Sequence, residues 1–243
     1  MASVALLAFD LDDTLYPERA FVRSGFRVVS EYLEREGLVD HPVWPDLVTR
    51  FESGVRDRAF NRVLLAAGVV PSPGLIRTLV EMYRSHRLPE GPVQPDIQLY
   101  ADAERALARL RLAGLKLGLI TDGPLAAQLL KVDALGMEER LDAIILTDQW
   151  GRDFWKPHPR AFREMASRLE VDPASCVYVG DNPEKDFDGP AAAGWGPSIR
   201  IRRQEGLYND ATPSSRMGPV AAVISDLDML DAVIAAFRPP DAI

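Results

Sequence analysis

The sequence predicts an α/β protein: a Rossmann-like parallel sheet core that carries an inserted all-helical domain. Three observations lead there. Short apolar runs recur at residues 4–9, 116–120, 143–146, 176–179 and 199–202, with a weaker one at 222–224. Several are apolar on consecutive residues, the pattern of strands covered on both faces. Longer helical patterns lie between them at 100–113, 125–135, 159–169 and 185–193, with a last one at 226–237. Strand and helix alternating at this spacing build a parallel sheet with helices on both faces. The third observation is where that rhythm fails, between residues 16 and 95.

Taken in order, the first run ends abruptly at Asp10 and reads as a buried strand. Amphipathic helical patterns follow at 18–36, 44–67 and 73–86, punctuated by Gly37, Gly68 and Pro71, with no convincing strand among them. The return segment 88–95 has three prolines and a glycine and cannot be helical throughout. The core is therefore expected at 1–15 and 96–243, and the inserted helical domain at 16–95. The last helix opens at Ser225 with Asp228 three residues on, a capping pattern.

Composition narrows the function classes. The 243 residues are 47% hydrophobic and 26% charged, with a net charge of −8, which is ordinary for a globular chain. An acidic balance argues against wrapping a nucleic acid, which needs a basic face, but leaves single phosphorylated metabolites open. The apolar N-terminus lacks a basic leader region and falls short of the ~20 residues that span a bilayer. With one cysteine, Cys176, no intrachain disulfide can form. We expect a cytoplasmic protein without a membrane span. His41, His86 and His158 lack zinc-ligand spacing, and no dinucleotide or P-loop fingerprint occurs.

Four stretches at strand carboxyl ends carry the chemistry, and in open parallel sheets ligands bind beyond those ends. Asp10 and Asp12 follow the first strand and converge on one site if the chain leaves β geometry there, one as nucleophile and the other as general acid. Thr121, before Asp122-Gly123, offers a hydroxyl and backbone N–H groups to phosphate oxygens; a helix cap is the plainer reading. Lys156-Pro157 places a lysine in a loop flanked by tryptophans. Gly180-Asp181 through Asp186 supplies hard oxygen ligands for a metal, or a polar turn. Cys176 reads as a small buried hydrophobe.

In this order the set resembles the haloacid dehalogenase superfamily of phosphohydrolases. The matching residues are Asp10-x-Asp12-x-Thr14, Thr121, Lys156 and Gly180-Asp181-x-x-x-x-Asp186, with the helical insertion where that family's C1-type cap sits. The resemblance implies a Mg²⁺-dependent phosphatase acting on a small phosphorylated metabolite, a sugar phosphate or nucleoside monophosphate. Asp10 would become an aspartyl-phosphate; Asp12 would protonate the leaving oxygen and then activate water. Mg²⁺ would be held by the Asp10 carboxylate, the Asp12 carbonyl and Asp181, with Asp186 beside them, while Thr121 and Lys156 would hold the phosphoryl oxygens. Position 122 is Asp where many relatives carry Asn. Asp12 disfavours the dehalogenase branch; a phosphomutase and a non-catalytic phosphate-binding protein are the alternatives. The cap would set substrate choice, with Arg50, Arg56, Arg58 and Arg62 in one helical stretch, and the run Arg200 to Arg203 has a similar claim.

Overall fold

The computed structural model describes residues 4–55, 57–86, 97–214 and 218–237. The chain divides into two compact units, Met1–Pro17 with Gln98–Ile243, and Glu18–Ile97. The 88–95 return and Arg56 lie outside the described residues.

The first unit is built on six parallel strands: β1 (Leu6–Phe9), β2 (Lys116–Thr121), β3 (Ala143–Leu146), β4 (Cys176–Gly180), β5 (Ser198–Ile201) and β6 (Val220–Ile224). Their order is β3-β2-β1-β4-β5-β6, so β1 lies inside the sheet between β2 and β4. That position explains its four consecutive apolar residues, all fully buried. Leu6 and Ala8 enter a core with Phe162, Met165, Tyr178 and Trp195. Leu7 and Phe9, equally buried, face the other way, so both faces are covered. Cys176 belongs to the same core, and burial pushes its thiol up to about 12, an unreactive environment.

The connecting helices of this unit are α5 (Ala101–Leu112), α6 (Leu125–Ala134), α7 (Met137–Arg140), α8 (Arg160–Arg168), α9 (Asp188–Ala192) and α10 (Leu230–Ala236), numbered after the four of the second unit. Two boundaries differ from expectation for local reasons. The helix expected from 185 begins at Asp188, because Asp186 turns inward and accepts from the Asn182 N–H (2.9 Å). The last helix, expected from 226, begins at Leu230; ahead of it Asp226, and not Ser225, caps the 3-10 turn Leu227–Met229, accepting from the Asp228 N–H at 3.0 Å.

The second unit holds α1 (Glu18–Arg35), α2 (Trp44–Glu52), α3 (Ala59–Ala66) and α4 (Pro73–Ser85). The single helix expected over 44–67 is two. Gly54, at φ +85°, ends α2 with Val55 N–H on Arg50 O (2.9 Å), a glycine-dependent helix stop. Ser30 of α1 caps α2 from outside, its Oγ accepting from Val43 and Trp44 N–H. Phe26, Phe51, Phe60 and Tyr83 cluster inside this unit. Of the arginine stretch, Arg50 pairs with Asp46 and Arg62 with Asp57. Among the described residues no helix is long and apolar enough to cross a membrane.

Candidate active site

Strand register assembles the site. Phe9 lies opposite Leu119 on one side and Val179 on the other, and Thr121 opposite Leu146. The residues just past these pairs therefore crowd one sheet edge. Asp10 continues the ladder, its N–H donating to Val179 O at 2.9 Å. The chain then leaves β geometry. Leu11 O accepts from Leu15 N–H (2.9 Å), and Asp13 takes a left-handed φ of 53°. Asp13 is held there by the Leu207 N–H on Oδ2 (2.9 Å), and Arg203 donates to Thr14 O (2.7 Å) while pairing with Asp102. Arg200 likewise reaches backbone carbonyls of Tyr208 and Asp181. In this structure both arginines brace the site's backbone.

Lys156 is the site's central cation, its side chain fully buried. Its Nζ lies 2.6 Å from Asp10 Oδ1, 2.8 Å from Asp186 Oδ1 and 2.9 Å from the Tyr178 hydroxyl, which donates onward to Ile120 O. Although burial opposes its charge, Asp10 and Asp186 hold Lys156 protonated well above the usual lysine range. Burial, opposed by Lys156 and reinforced by Asp186, pushes the Asp10 carboxyl up to about 6.

Asp10, Asp181 and Asp186 present carboxylate oxygens all within 4.8 Å of one another, and all three residues are buried. The turn from Asn182 to Asp186 folds the two later aspartates together, with Asp186 N–H on Asn182 O (3.0 Å). Asp181 Oδ2 is buried without a hydrogen-bond partner, and burial with the charges of Asp186 and Asp10 drives its carboxyl far up. Among the described residues six carboxylates (Asp10, Asp12, Asp13, Asp122, Asp181, Asp186) face three ammonium groups (Lys131, Lys156, Lys185). Orphaned hard oxygen and surplus negative charge are what a divalent cation satisfies, so this donor set fits one.

Gly180 makes the cluster possible. A Cβ there would sit 2.5 Å from Asp186 Oδ2 and 2.8 Å from its Cγ. Gly180→Ala is expected to displace Asp186 and lower stability by about 1–3 kcal/mol, the cost of overpacking a filled interior. Thermal unfolding beside wild type checks it; an unchanged Tm would show that Asp186 has room to move.

Thr121 does not cap α6: its Oγ1 accepts from Gln128 Nε2 (2.8 Å), and Leu125 N–H goes to Asp148 (2.9 Å). Asp122 is more than an asparagine equivalent. Its carboxylate accepts from Thr147 Oγ1 (2.7 Å), Lys156 N–H (3.0 Å) and Lys185 Nζ (3.1 Å). Burial raises its pKa, but Lys156 and Lys185 outweigh this and hold it below the usual range. Asp12 contributes no side chain to the three-aspartate cluster. Its carboxylate is gripped by Lys131, Tyr16 and Gln128.

Sequence reasoning names neither Lys185, Tyr178, Tyr16, Gln128 nor Lys131. Lys185, inside the Gly180–Asp186 stretch, and Tyr16, two residues past Thr14, lie beside a signal; the others sit in strand or helix contexts that advertise nothing.

Comparison with known proteins follows the same lines. Residues 4–194 match the family model of the haloacid dehalogenase-like hydrolases. The glyceraldehyde 3-phosphate phosphatase of Methanopyrus kandleri is 31% identical over 216 residues, 86% of this chain and 88% of the relative. The phosphoserine phosphatase of Thermus thermophilus is 33% identical over 168 residues, 69% of this chain and 63% of the relative. Among solved structures, a HAD family hydrolase from Deinococcus radiodurans, with bound phosphate and sodium, shares the fold. Its TM-score is 0.63, with 21% identity and 97% of each chain covered.

Proposed function

The chain belongs to the haloacid dehalogenase-like hydrolases, and we propose that it is a Mg²⁺-dependent phosphatase working through an aspartyl-phosphate on Asp10. The observation that carries this reading is the buried Asp10 carboxylate, 2.6 Å from Lys156 and within reach of Asp181 and Asp186. A solvated acidic turn would not bury three carboxylates around a lysine with no exposed side-chain surface.

The chemistry follows from those residues. Asp10 attacks phosphorus and displaces the leaving oxygen, to which Asp12 gives the proton it took from water in the preceding turnover. Asp12 then takes a proton from the water that attacks phosphorus in the Asp10 acyl phosphate; the Asp10 O–P bond breaks, inorganic phosphate leaves and the Asp10 carboxylate is regenerated. Lys156 and the Thr121 hydroxyl hold the phosphoryl oxygens, the lysine offsetting the charge that otherwise repels a dianion from the aspartates. Asp10, Asp181 and the Asp12 carbonyl would hold Mg²⁺, with Asp186 beside them. When bound, that cation supplies charge neutralisation at the phosphoryl group.

The substrate class we propose is a small phosphomonoester, a sugar phosphate or nucleoside monophosphate. The relatives named for glyceraldehyde 3-phosphate and phosphoserine favour a compact, polar leaving group. The helical unit Glu18–Ile97 we assign as the family's cap, and the cytoplasm as the location, in keeping with the single buried thiol.

Phosphate release across a panel of phosphorylated metabolites, with Mg²⁺ and with excess chelator, tests the proposal. We expect turnover with Mg²⁺, none in chelator and recovery on adding Mg²⁺ back. Thermal stability should also rise with Mg²⁺, by about 2.7 kcal/mol at a hundredfold excess over Kd. Full activity in chelator would refute the metal's role. No hydrolysis of any phosphomonoester would refute the enzyme.

A further inference from the structure

We propose, building on the acid–base role given to Asp12 above, that Gln128 and Lys131 of α6 are positioning residues that aim the Asp12 carboxylate at the leaving oxygen. Lys131 Nζ lies 2.7 Å from Asp12 Oδ1, and Gln128 Nε2 lies 3.1 Å from Oδ2. Tyr16 donates its hydroxyl to Oδ1 as well. Each carboxylate oxygen thus has its own donor from the same helix. An aspartate held at one oxygen still turns about its last bond; held at both, its plane is fixed.

Both side chains are deeply buried, Gln128 at 1% exposure and Lys131 at 6%, on a helix that otherwise buries Ala127 and Val132. Their spacing of three residues puts them on one face of α6, toward the β1 loop. Gln128 does more than hold Asp12. The same nitrogen, its two hydrogens shared among three acceptors, lies 2.8 Å from Thr121 Oγ1 and against Asp122 O. One side chain therefore ties the proton donor to the hydroxyl assigned to the phosphoryl oxygens. A proton donor and a phosphoryl anchor must keep a fixed separation if the leaving oxygen is to meet the proton as its bond to phosphorus breaks.

The leaving group supplies the test. An alkyl phosphate expels a basic alkoxide and depends on the proton; p-nitrophenyl phosphate expels a stable phenolate and does not. In kcat/KM, which reports steps through phosphoryl transfer to Asp10, Lys131→Met and Gln128→Met should lower glycerol phosphate turnover by about 10²-fold, the cost of a misplaced catalytic group. In Lys131→Met, turnover of p-nitrophenyl phosphate should stay within about threefold of wild type; Gln128→Met also frees Thr121 Oγ1, so both substrates should lose there, the alkyl phosphate by about tenfold more. Lys131→Arg, which keeps a cation facing Asp12, should restore most of the alkyl activity, and the alkyl-to-aryl ratio of Gln128→Met gives the readout if Lys131→Met does not fold. In an Asp12→Asn background neither change should alter the alkyl-to-aryl ratio further. Equal losses on both substrates, or a further ratio change without Asp12, would overturn the positioning role and leave the phosphatase reading standing. A wild-type protein inactive on both would overturn both.

Discussion

Asp10→Asn is expected to lower phosphatase turnover by roughly four orders of magnitude or more, as removal of a covalent nucleophile does. The fold should survive the change. Burial already pushes the Asp10 carboxyl up to about 6, so its charge is held at a cost, and an amide of the same shape relieves it. Lys156 keeps Asp186 at 2.8 Å and the Tyr178 hydroxyl at 2.9 Å. Steady-state kinetics on the best metabolite, with thermal unfolding alongside, checks both halves. Turnover within tenfold of wild type would mean that another group attacks phosphorus, since losing a nucleophile costs far more than about tenfold.

Lys156→Met should damage both activity and stability. In wild type the ammonium has no exposed surface and faces Asp10 and Asp186. Removing it leaves those carboxylates and Asp181 buried without their cation. Losing one partner of a buried ion pair costs about 3–5 kcal/mol, or roughly 6–20 °C in Tm for a chain of this size. Added Mg²⁺ should recover part of that Tm, because it places positive charge among the same carboxylates, but little activity. A Tm within about one degree of wild type, well below one kcal/mol, would show that Lys156 does not balance the buried charge.

The core's strands were the most readable part of the sequence, and the reason is physical. Strands buried on both faces cannot alternate, so runs such as Leu6 to Phe9 and Cys176 to Val179 stand out from any helix. Parallel register then brings Asp10, Thr121 and Asp181 to one edge whatever the loops do. The helical unit was less readable because periodicity does not register a single left-handed residue. Gly54 ends α2 within a run that reads as one helix from 44 to 67. The start of α9 was hidden for a different reason. Asp186 looks like a first-turn residue, and only its tertiary partners, Asn182 N–H and Lys156, turn it inward.

Apart from Tyr16, four residues from Asp12, the residues that sequence reading missed owe their roles to long-range contacts. Lys131 and Gln128 meet Asp12 across more than a hundred residues, and on α6 they look like ordinary helix formers. Tyr178 looks like a core aromatic until its hydroxyl is seen between Lys156 and Ile120 O. Asp122 could be read only as a substitution for asparagine. Its second oxygen, 3.1 Å from Lys185 Nζ, accounts for the charge. The arginines at 200 and 203 were plausible substrate contacts by sequence. In the structure they reach Tyr208 O and Thr14 O.

The covalent step on Asp10 is tested most directly by acid-quenching the enzyme during its first turnovers with a phosphorylated substrate and Mg²⁺, then mapping the phosphoryl group by peptide mass spectrometry. The group should appear on the peptide containing Asp10, at that residue, and be absent from Asp10→Asn. Turnover with no phosphoryl group on Asp10 at any quench time, or a phosphoryl group on another residue, would contradict the mechanism.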